Sequence, residues 1–135
     1  MSEATWLGSA RATSGPGYQQ RIRAGRHELI ADEPEIRGGK DTGPDPFSLV
    51  LAGLAACTGI TLQMFAERHE WTLGDLRVDV EVFADGAQPR IKRVLKFPAE
   101  VPQERRVRLA EIAEKTPVTK ALRSGFAIET TAVAY

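Results

Sequence analysis

The chain has 135 residues and no net charge at neutral pH, because 18 basic side chains balance 18 acidic ones. This length suits one domain with a core of its own, so we predict a single domain over residues 1–135. The balanced charge argues against nucleic-acid binding, which needs a basic face. Cys57 is the only cysteine, which excludes an intramolecular disulfide. The N-terminus lacks the features of a signal peptide, and we expect a cytoplasmic protein with a reduced thiol.

The first part of the chain predicts a meander of three short antiparallel strands. They fall at residues 4–12, 18–23 and 27–31, and Gly-rich turn signals separate them. Trp6 is expected to anchor the first strand in the core. A polar connection then leads from residue 32 to residue 44.

A long helix is predicted from Asp45 to about His69. Asp45 suits the N-cap and Pro46 the first turn, where a missing N–H costs nothing. No residue from 47 to 66 is charged, and a helix that is apolar nearly all round is either buried or in a membrane. The run is long enough to span a bilayer. We nevertheless predict burial and no membrane, because the run contains small and hydroxylated residues and has no hydrophobic companion.

The second half predicts a hairpin, two helices and a last strand. Strand 76–82 alternates apolar and charged residues, and strand 90–97 is its charged return. Helices follow from Pro102 to Lys115 and from Pro117 to Gly125, with Thr116 as the cap of the second, and residues 126–135 form the final strand. The order βββ-α-ββ-α-α-β is an α+β fold with short antiparallel strands around a long central helix.

Two charged clusters each allow a functional and a structural interpretation. The acidic residues Asp32, Glu33 and Glu35 fit a metal or acid–base site, but a solvated loop is preferred because no histidine or cysteine lies nearby. The return strand carries a basic group consisting of Arg90, Lys92, Arg93 and Lys96. We interpret it as a solvated, edge-protecting strand face, with an anion site as the alternative.

The central helix needs more cover than one chain of this size supplies. A symmetric dimer in which two such helices pack through Gly53, Ala56 and Gly59 would bury the remaining apolar surface. We therefore predict an obligate homodimer.

Cys57 lies in the middle of the predicted helix among apolar and small residues. Its neighbours at helical spacing are Val50, Gly53, Leu54, Ile60, Thr61 and Met64. Peroxide chemistry needs the thiolate, and apolar surroundings without a nearby cation favour the thiol. Residue types alone therefore fit an inert buried cysteine as well as a reactive one. His27 and His69 show no metal-ligand spacing to Cys57, so no metal or other cofactor is expected.

Two motifs resemble the osmotically inducible protein C (OsmC)-like family, which includes the organic hydroperoxide resistance (Ohr) enzymes. The first is Gly-x-x-Pro leading into an apolar helix with Ala-Ala-Cys, here from Gly43 to Cys57. The second is a Cys-Pro-Val/Ile-x-Lys element, here Thr116 to Lys120 with threonine in place of cysteine. The resemblance covers nearly the whole chain and implies an intertwined homodimer with a reactive-cysteine pocket at each end of the interface.

The resemblance also implies a mechanism from which this chain departs. In peroxidase members the helix cysteine attacks the peroxide, the Cys-Pro cysteine resolves the sulfenic acid, and an arginine and a glutamate activate the thiolate. Here the resolving position is Thr116, the glutamate position is Phe47, and the arginine position falls near Pro16. Other arginines close to the hairpin are candidate thiolate partners: Arg11, Arg21, Arg23 and Arg26.

Two functions remain open. In the first, Cys57 reduces a small hydroperoxide in a pocket lined by residues such as Phe47, Met64 and Phe65, and an external thiol reduces the sulfenic acid. In the alternative, the chain is a non-catalytic module that binds a small hydrophobic or acyl ligand at the dimer interface.

Overall fold

The computed structural model describes residues 4–86 and 88–135. Within that part the chain forms five strands, three α-helices and one short 3-10 helix. In chain order these are β1 (Ala10–Ser14), β2 (Gln20–Ala24), β3 (His27–Ala31), the 3-10 helix (Glu35–Arg37), α1 (Pro46–Arg68), β4 (Arg77–Phe83), β5 (Arg90–Lys96), α2 (Gln103–Ala113) and α3 (Pro117–Ser124). The predicted α+β class is confirmed. The elements belong to two compact units, one ending at Val50 and the other beginning at Leu51, and the single domain stays a prediction.

The first unit contains a three-stranded antiparallel sheet in the order β1-β2-β3. Arg11 lies opposite Arg23, and Arg23 lies opposite Glu28, so one face of the sheet carries these charges side by side. The first strand begins at Ala10 rather than at residue 4. Trp6 is 76% exposed, so its expected role as a core anchor is wrong.

Asp32 anchors the connection between β3 and α1 and is not part of a solvated loop, as the sequence had suggested. Its side chain is buried. The carboxylate accepts hydrogen bonds from the Thr42 hydroxyl at 2.7 Å and from the backbone N–H groups of Glu33, Lys40 and Thr42. The pKa of Asp32 is lowered, and the largest cause is the hydrogen bond from the Thr42 hydroxyl. Burial of the carboxylate opposes this change, and the backbone hydrogen bonds lower the pKa further.

The lowered pKa of Asp32 predicts a loss of stability in acid. Because the folded pKa lies below the ordinary value of about 3.9, this contribution is present above that value and is lost as the pH falls through the folded pKa. Asp32→Asn should lower the melting temperature at pH 7, and the difference from the parent should shrink towards pH 3. Circular dichroism melts between pH 3 and pH 7 measure this. Asp75→Asn, at an exposed aspartate, is the control and should leave the profile unchanged.

α1 begins where the sequence predicted. Asp45 accepts hydrogen bonds from the Ser48 hydroxyl and from the Ser48 backbone N–H, the latter at 3.3 Å, so it caps the helix. The hydrogen bond from the Ser48 hydroxyl is the main cause that lowers the pKa of Asp45. The carboxylate therefore stays charged beside the helix N-terminus, where the helix dipole favours negative charge.

α1 is buried along one side only, so burial all round is wrong for the single chain. Its buried residues follow one another at four-residue spacing: Leu54, Thr58, Leu62 and Ala66. Only 22% of its most apolar window is buried. The helix is long and apolar enough to cross a membrane, with a mean hydropathy of 1.8, but the core helix of a soluble protein passes the same test.

The core of the second unit forms where α1 meets α2 and the adjoining loops. Leu62 and Leu109 are fully buried there, together with Ala66, Leu73, Val101 and Ala113. β4 and β5 pair antiparallel, with Val80 opposite Arg93 and Val78 opposite Leu95. These pairs place Arg93 on the same face of the hairpin as its apolar neighbours.

The final strand predicted for residues 126–135 is wrong for the isolated chain. In the described part of the structure this segment joins no sheet, and all of its residues are exposed. The segment has suitable residues for a strand, including Ile128 and Val133, but a strand also needs the edge of a neighbouring one.

Candidate active site

Cys57 is a free, half-buried thiol in the middle of α1. It lies beside the buried row in helical projection, between Leu54 one turn before it and Thr61 one turn after it. Its other side adjoins an open face of α1, which consists of Ala52, Gly53, Ala56, Ile60 and Met64, all exposed. Cys57 therefore stands at the boundary between the packed and the uncovered side of the helix.

The open face of α1 is apolar and has room next to it. Ile60 is 57% exposed and Met64 is 53% exposed. A Cβ atom added at Gly53 or Gly59 would meet no atom within 4 Å. Single exposed apolar residues are ordinary, but a contiguous apolar face on one helix indicates a surface that binds something.

Thr116 is a fully buried helix cap at the start of α3. Its hydroxyl accepts a hydrogen bond from the backbone N–H of Thr119 at 3.3 Å, as an N-cap does, and also bonds the Thr119 hydroxyl. The capping role predicted from the sequence is confirmed.

Arg93 is the site residue that the sequence interpretation missed. Its side chain is only 12% exposed, so it is not part of a solvated strand face. One terminal nitrogen donates to the hydroxyls of Thr58 at 3.0 Å and Thr119 at 2.8 Å. The other donates to the carbonyl of Ala113 at 3.0 Å and to the carboxylate of Glu114 at 2.8 Å. The signal was present in the sequence, since Arg93 alternates with Ile91 and Leu95 on the face that points inward.

Glu114 lies between two guanidinium groups. Arg123 donates to its carboxylate at 3.0 Å and Arg93 at 2.8 Å. The pKa of Glu114 is lowered, and the largest cause is the hydrogen bond from Arg123. Partial desolvation opposes this change, while the positive charges of Arg123 and Arg93 add to it. An open cavity of about 490 Å³ adjoins this group, and Leu54 and Thr119 also line it.

The candidate arginines lie in the first unit. Arg11, Arg21 and Arg23 line one cavity of about 890 Å³, together with Thr42 and Pro44. Arg23 pairs with Glu28 at 3.2 Å, and both side chains are mostly exposed. Arg26 lies in the turn between β2 and β3 and is not among the residues that line this cavity.

The three predicted pocket residues have different environments. Phe47 is 59% exposed, and Met64 belongs to the open face. Phe65 instead packs against the core of the second unit, with its ring stacked on His69 at 4.1 Å between centroids. Within the described residues no group of three or more histidine, cysteine or acidic side chains could hold a metal ion.

The sequence model described as "OsmC-like protein" matches residues 38–131, more than half of the chain. The chain belongs to the OsmC-like family. The matched range contains both Cys57 and Thr116.

Solved structures share the OsmC fold. A putative osmotic stress induced and detoxification response protein from Psychrobacter arcticus is 18% identical, with a TM-score of 0.75 over 87% of this chain and 90% of that one. An organic hydroperoxide resistance protein OsmC from Legionella pneumophila is 22% identical, with a TM-score of 0.66 over 90% and 92%. The organic hydroperoxide resistance protein OhrB of Bacillus subtilis is 24% identical, with a TM-score of 0.63 over 89% and 93%. No curated protein matches the chain.

Proposed function

We propose that this OsmC-like protein is a one-cysteine hydroperoxide reductase that uses Cys57. The observation that carries the proposal is the half-buried thiol at the edge of an open apolar face, within the range that matches the family. A hydroperoxide with an apolar tail could lie along Ile60 and Met64 with its peroxide group at the sulfur. Two of the solved structures named above are described as organic hydroperoxide resistance proteins, which supports this choice of substrate.

The reaction proceeds by attack of the Cys57 thiolate on the outer oxygen of the hydroperoxide. The O–O bond breaks, the sulfur keeps one oxygen as a sulfenic acid, and the alkoxide takes up a proton and leaves as an alcohol. Since the chain has no other cysteine, an external thiol must reduce the sulfenic acid. That thiol forms a mixed disulfide with Cys57 and releases water. A second thiol of the reductant then attacks the mixed disulfide, which returns Cys57 to its reduced form and leaves the reductant as a disulfide.

The proposed working form is a cytoplasmic homodimer in which a second copy of the chain covers the open face of α1. A partner helix would exclude water from the apolar side of the site and complete the pocket for the substrate. The cation that favours the thiolate is proposed to be one of the arginines that the sequence singled out, and in a dimer either copy could supply it.

Stopped-flow measurement with cumene hydroperoxide tests this function. The parent protein should react at least a hundredfold faster than free cysteine, because a fast peroxidatic thiol needs both a thiolate and an oriented substrate. Cys57→Ser should abolish the reaction without changing the melting temperature by more than a few degrees. A parent rate no faster than that of free cysteine would overturn the proposal.

The ligand-binding alternative has one observation in its favour. Phe47, which the resemblance aligns with the activating glutamate of peroxidase members, has an exposed aromatic ring, and such a ring suits an apolar ligand better than it suits thiolate chemistry. If the peroxide reaction fails, native mass spectrometry should find a hydrophobic or acyl molecule carried by the purified protein. An empty protein with no thermal shift from a panel of fatty acids would exclude this alternative.

A further inference from the structure

Two residues of the second unit depart from the pattern around them, and they contact each other. Thr58 places a hydroxyl in the buried row of α1, between Leu54 and Leu62. Arg93 places a guanidinium on the inward face of β5, between Ile91 and Leu95. They meet at 3.0 Å, with the arginine donating to the hydroxyl.

Stability alone gives no reason to keep this pair. A largely buried charged side chain such as that of Arg93 is costly to desolvate, and an apolar residue of similar volume can often replace such a group without loss of stability. Positions where the local pattern is broken and the polar groups are nevertheless fully paired are typical of functional sites.

Arg93 joins three elements of the second unit through well-formed hydrogen bonds. Its acceptors are Thr58 on α1, Ala113 and Glu114 at the end of α2, and Thr119 on α3. The Thr119 hydroxyl donates to the Ala113 carbonyl at 3.2 Å, so it accepts from both Arg93 and the Thr116 hydroxyl. Within the described part of the chain no buried side-chain nitrogen or oxygen lacks a partner.

This network runs from the residue after Cys57 to the cap of α3. It starts at Thr58, the residue after Cys57, and passes through Arg93 and Thr119 to Thr116. The Thr58 hydroxyl also donates to the Leu54 carbonyl at 2.7 Å, so it is fixed within the turn of α1 that carries the thiol.

We propose that Arg93 is a positioning residue for the Cys57 thiol, which it orients by holding the Thr58 turn of α1 against the end of α2 and the cap of α3. This role of Arg93 rests on the proposed function, because orienting the thiol matters only if Cys57 reacts with a hydroperoxide. The charged groups that face Arg93 are Glu114 at the end of α2 and, beyond it, Arg123 of α3. Loss of the Thr58 contact lets the turn rotate and moves the sulfur relative to its surroundings.

The test measures the rate at which iodoacetamide alkylates Cys57 between pH 5 and pH 10. This rate does not depend on peroxide reduction, so the role of Arg93 can be tested even if the proposed peroxidase activity is absent. Thr58→Val keeps the packing and removes the acceptor, and it should lower the alkylation rate at pH 7 at least threefold. Arg93→Met should lower the rate at least fivefold and move the midpoint of the pH profile upward. Thr58→Ser, which keeps the hydroxyl, should restore the parent rate.

Arg90→Met is the matched control on the same strand. Arg90 is 71% exposed and its ion pair with Asp85 points away from the network, so its loss should leave the alkylation profile unchanged. Melting temperatures of all variants separate positioning from stability, and Thr58→Val carries the test if Arg93→Met does not fold. Rates for Thr58→Val within twofold of the parent, with an unchanged pH midpoint, would overturn the proposal.

Discussion

Gly43→Ala is expected to lower the free energy of unfolding by about 3 kcal/mol, the upper end of what overpacking usually costs. A Cβ atom at Gly43 would overlap the backbone carbonyl of Ile30 at the end of β3. A backbone carbonyl cannot move aside as a flexible side chain can, and the Asp32 N–H, two residues later, donates to the Pro44 carbonyl at 3.1 Å and so ties the two segments together. For a chain of this length the loss corresponds to about 10 °C in melting temperature.

The matched control for this prediction is Gly8→Ala. A Cβ atom at Gly8 would meet nothing within 4 Å, so this substitution should change the stability by less than about 0.5 kcal/mol. Urea unfolding of the two variants and the parent gives the comparison. If Gly43→Ala unfolds at the same urea concentration as Gly8→Ala, the close packing between β3 and the segment before α1 is wrong.

Local signals in the sequence were enough to locate the helices. Asp45 and Pro46 mark the beginning of α1, and Thr116 and Pro117 mark that of α3, because caps and first-turn prolines act within a few residues of their own position. β3 was also predicted with its observed bounds, since a turn signal precedes it and the polar connection follows it.

Features that depend on distant parts of the chain could not be predicted in the same way. Asp32 looked like a solvated residue, because the Thr42 hydroxyl that binds it comes ten residues later in the chain. Arg93 looked like a surface residue, because its four acceptors come from α1, α2 and α3. Charge suggests exposure as an average tendency, and only tertiary contacts reveal when a buried guanidinium is fully paired.

The position of Cys57 was predicted from the sequence, but its surroundings were only partly predicted. Helical spacing placed Gly53 and Met64 on the side of the helix next to Cys57, and α1 is continuous over this stretch, because periodicity gives the direction in which each side chain leaves the helix. The same periodicity does not tell which side of the helix packs against the rest of the chain. A helix without charges looks buried on every side, and the structure of the single chain leaves one side of α1 open.

That open side leads to the prediction with the largest effect on assembly. Ile60→Glu should convert the proposed homodimer into monomers at micromolar concentration. If a second α1 covers Ile60, the new carboxylate is buried without a partner, and a buried unpaired charge costs about 3–5 kcal/mol. That cost weakens association by a factor of about 10³. Sedimentation velocity would then give the mass of one 14.8 kDa chain in place of two.

The same substitution at a second isoleucine provides the control. Ile36 is 93% exposed in the 3-10 helix, so Ile36→Glu should leave the dimer intact.

Gly53→Ala adds a second test, in which the direction of the change in dimer stability decides the outcome. In a free helix alanine is more stable than glycine by about 1 kcal/mol, and a Cβ atom at Gly53 meets nothing in the single chain. If a partner helix packs closely there, Gly53→Ala weakens the dimer instead. A parent protein that sediments as a folded monomer would contradict the homodimer, and the open face beside Cys57 would then be free to bind another apolar molecule.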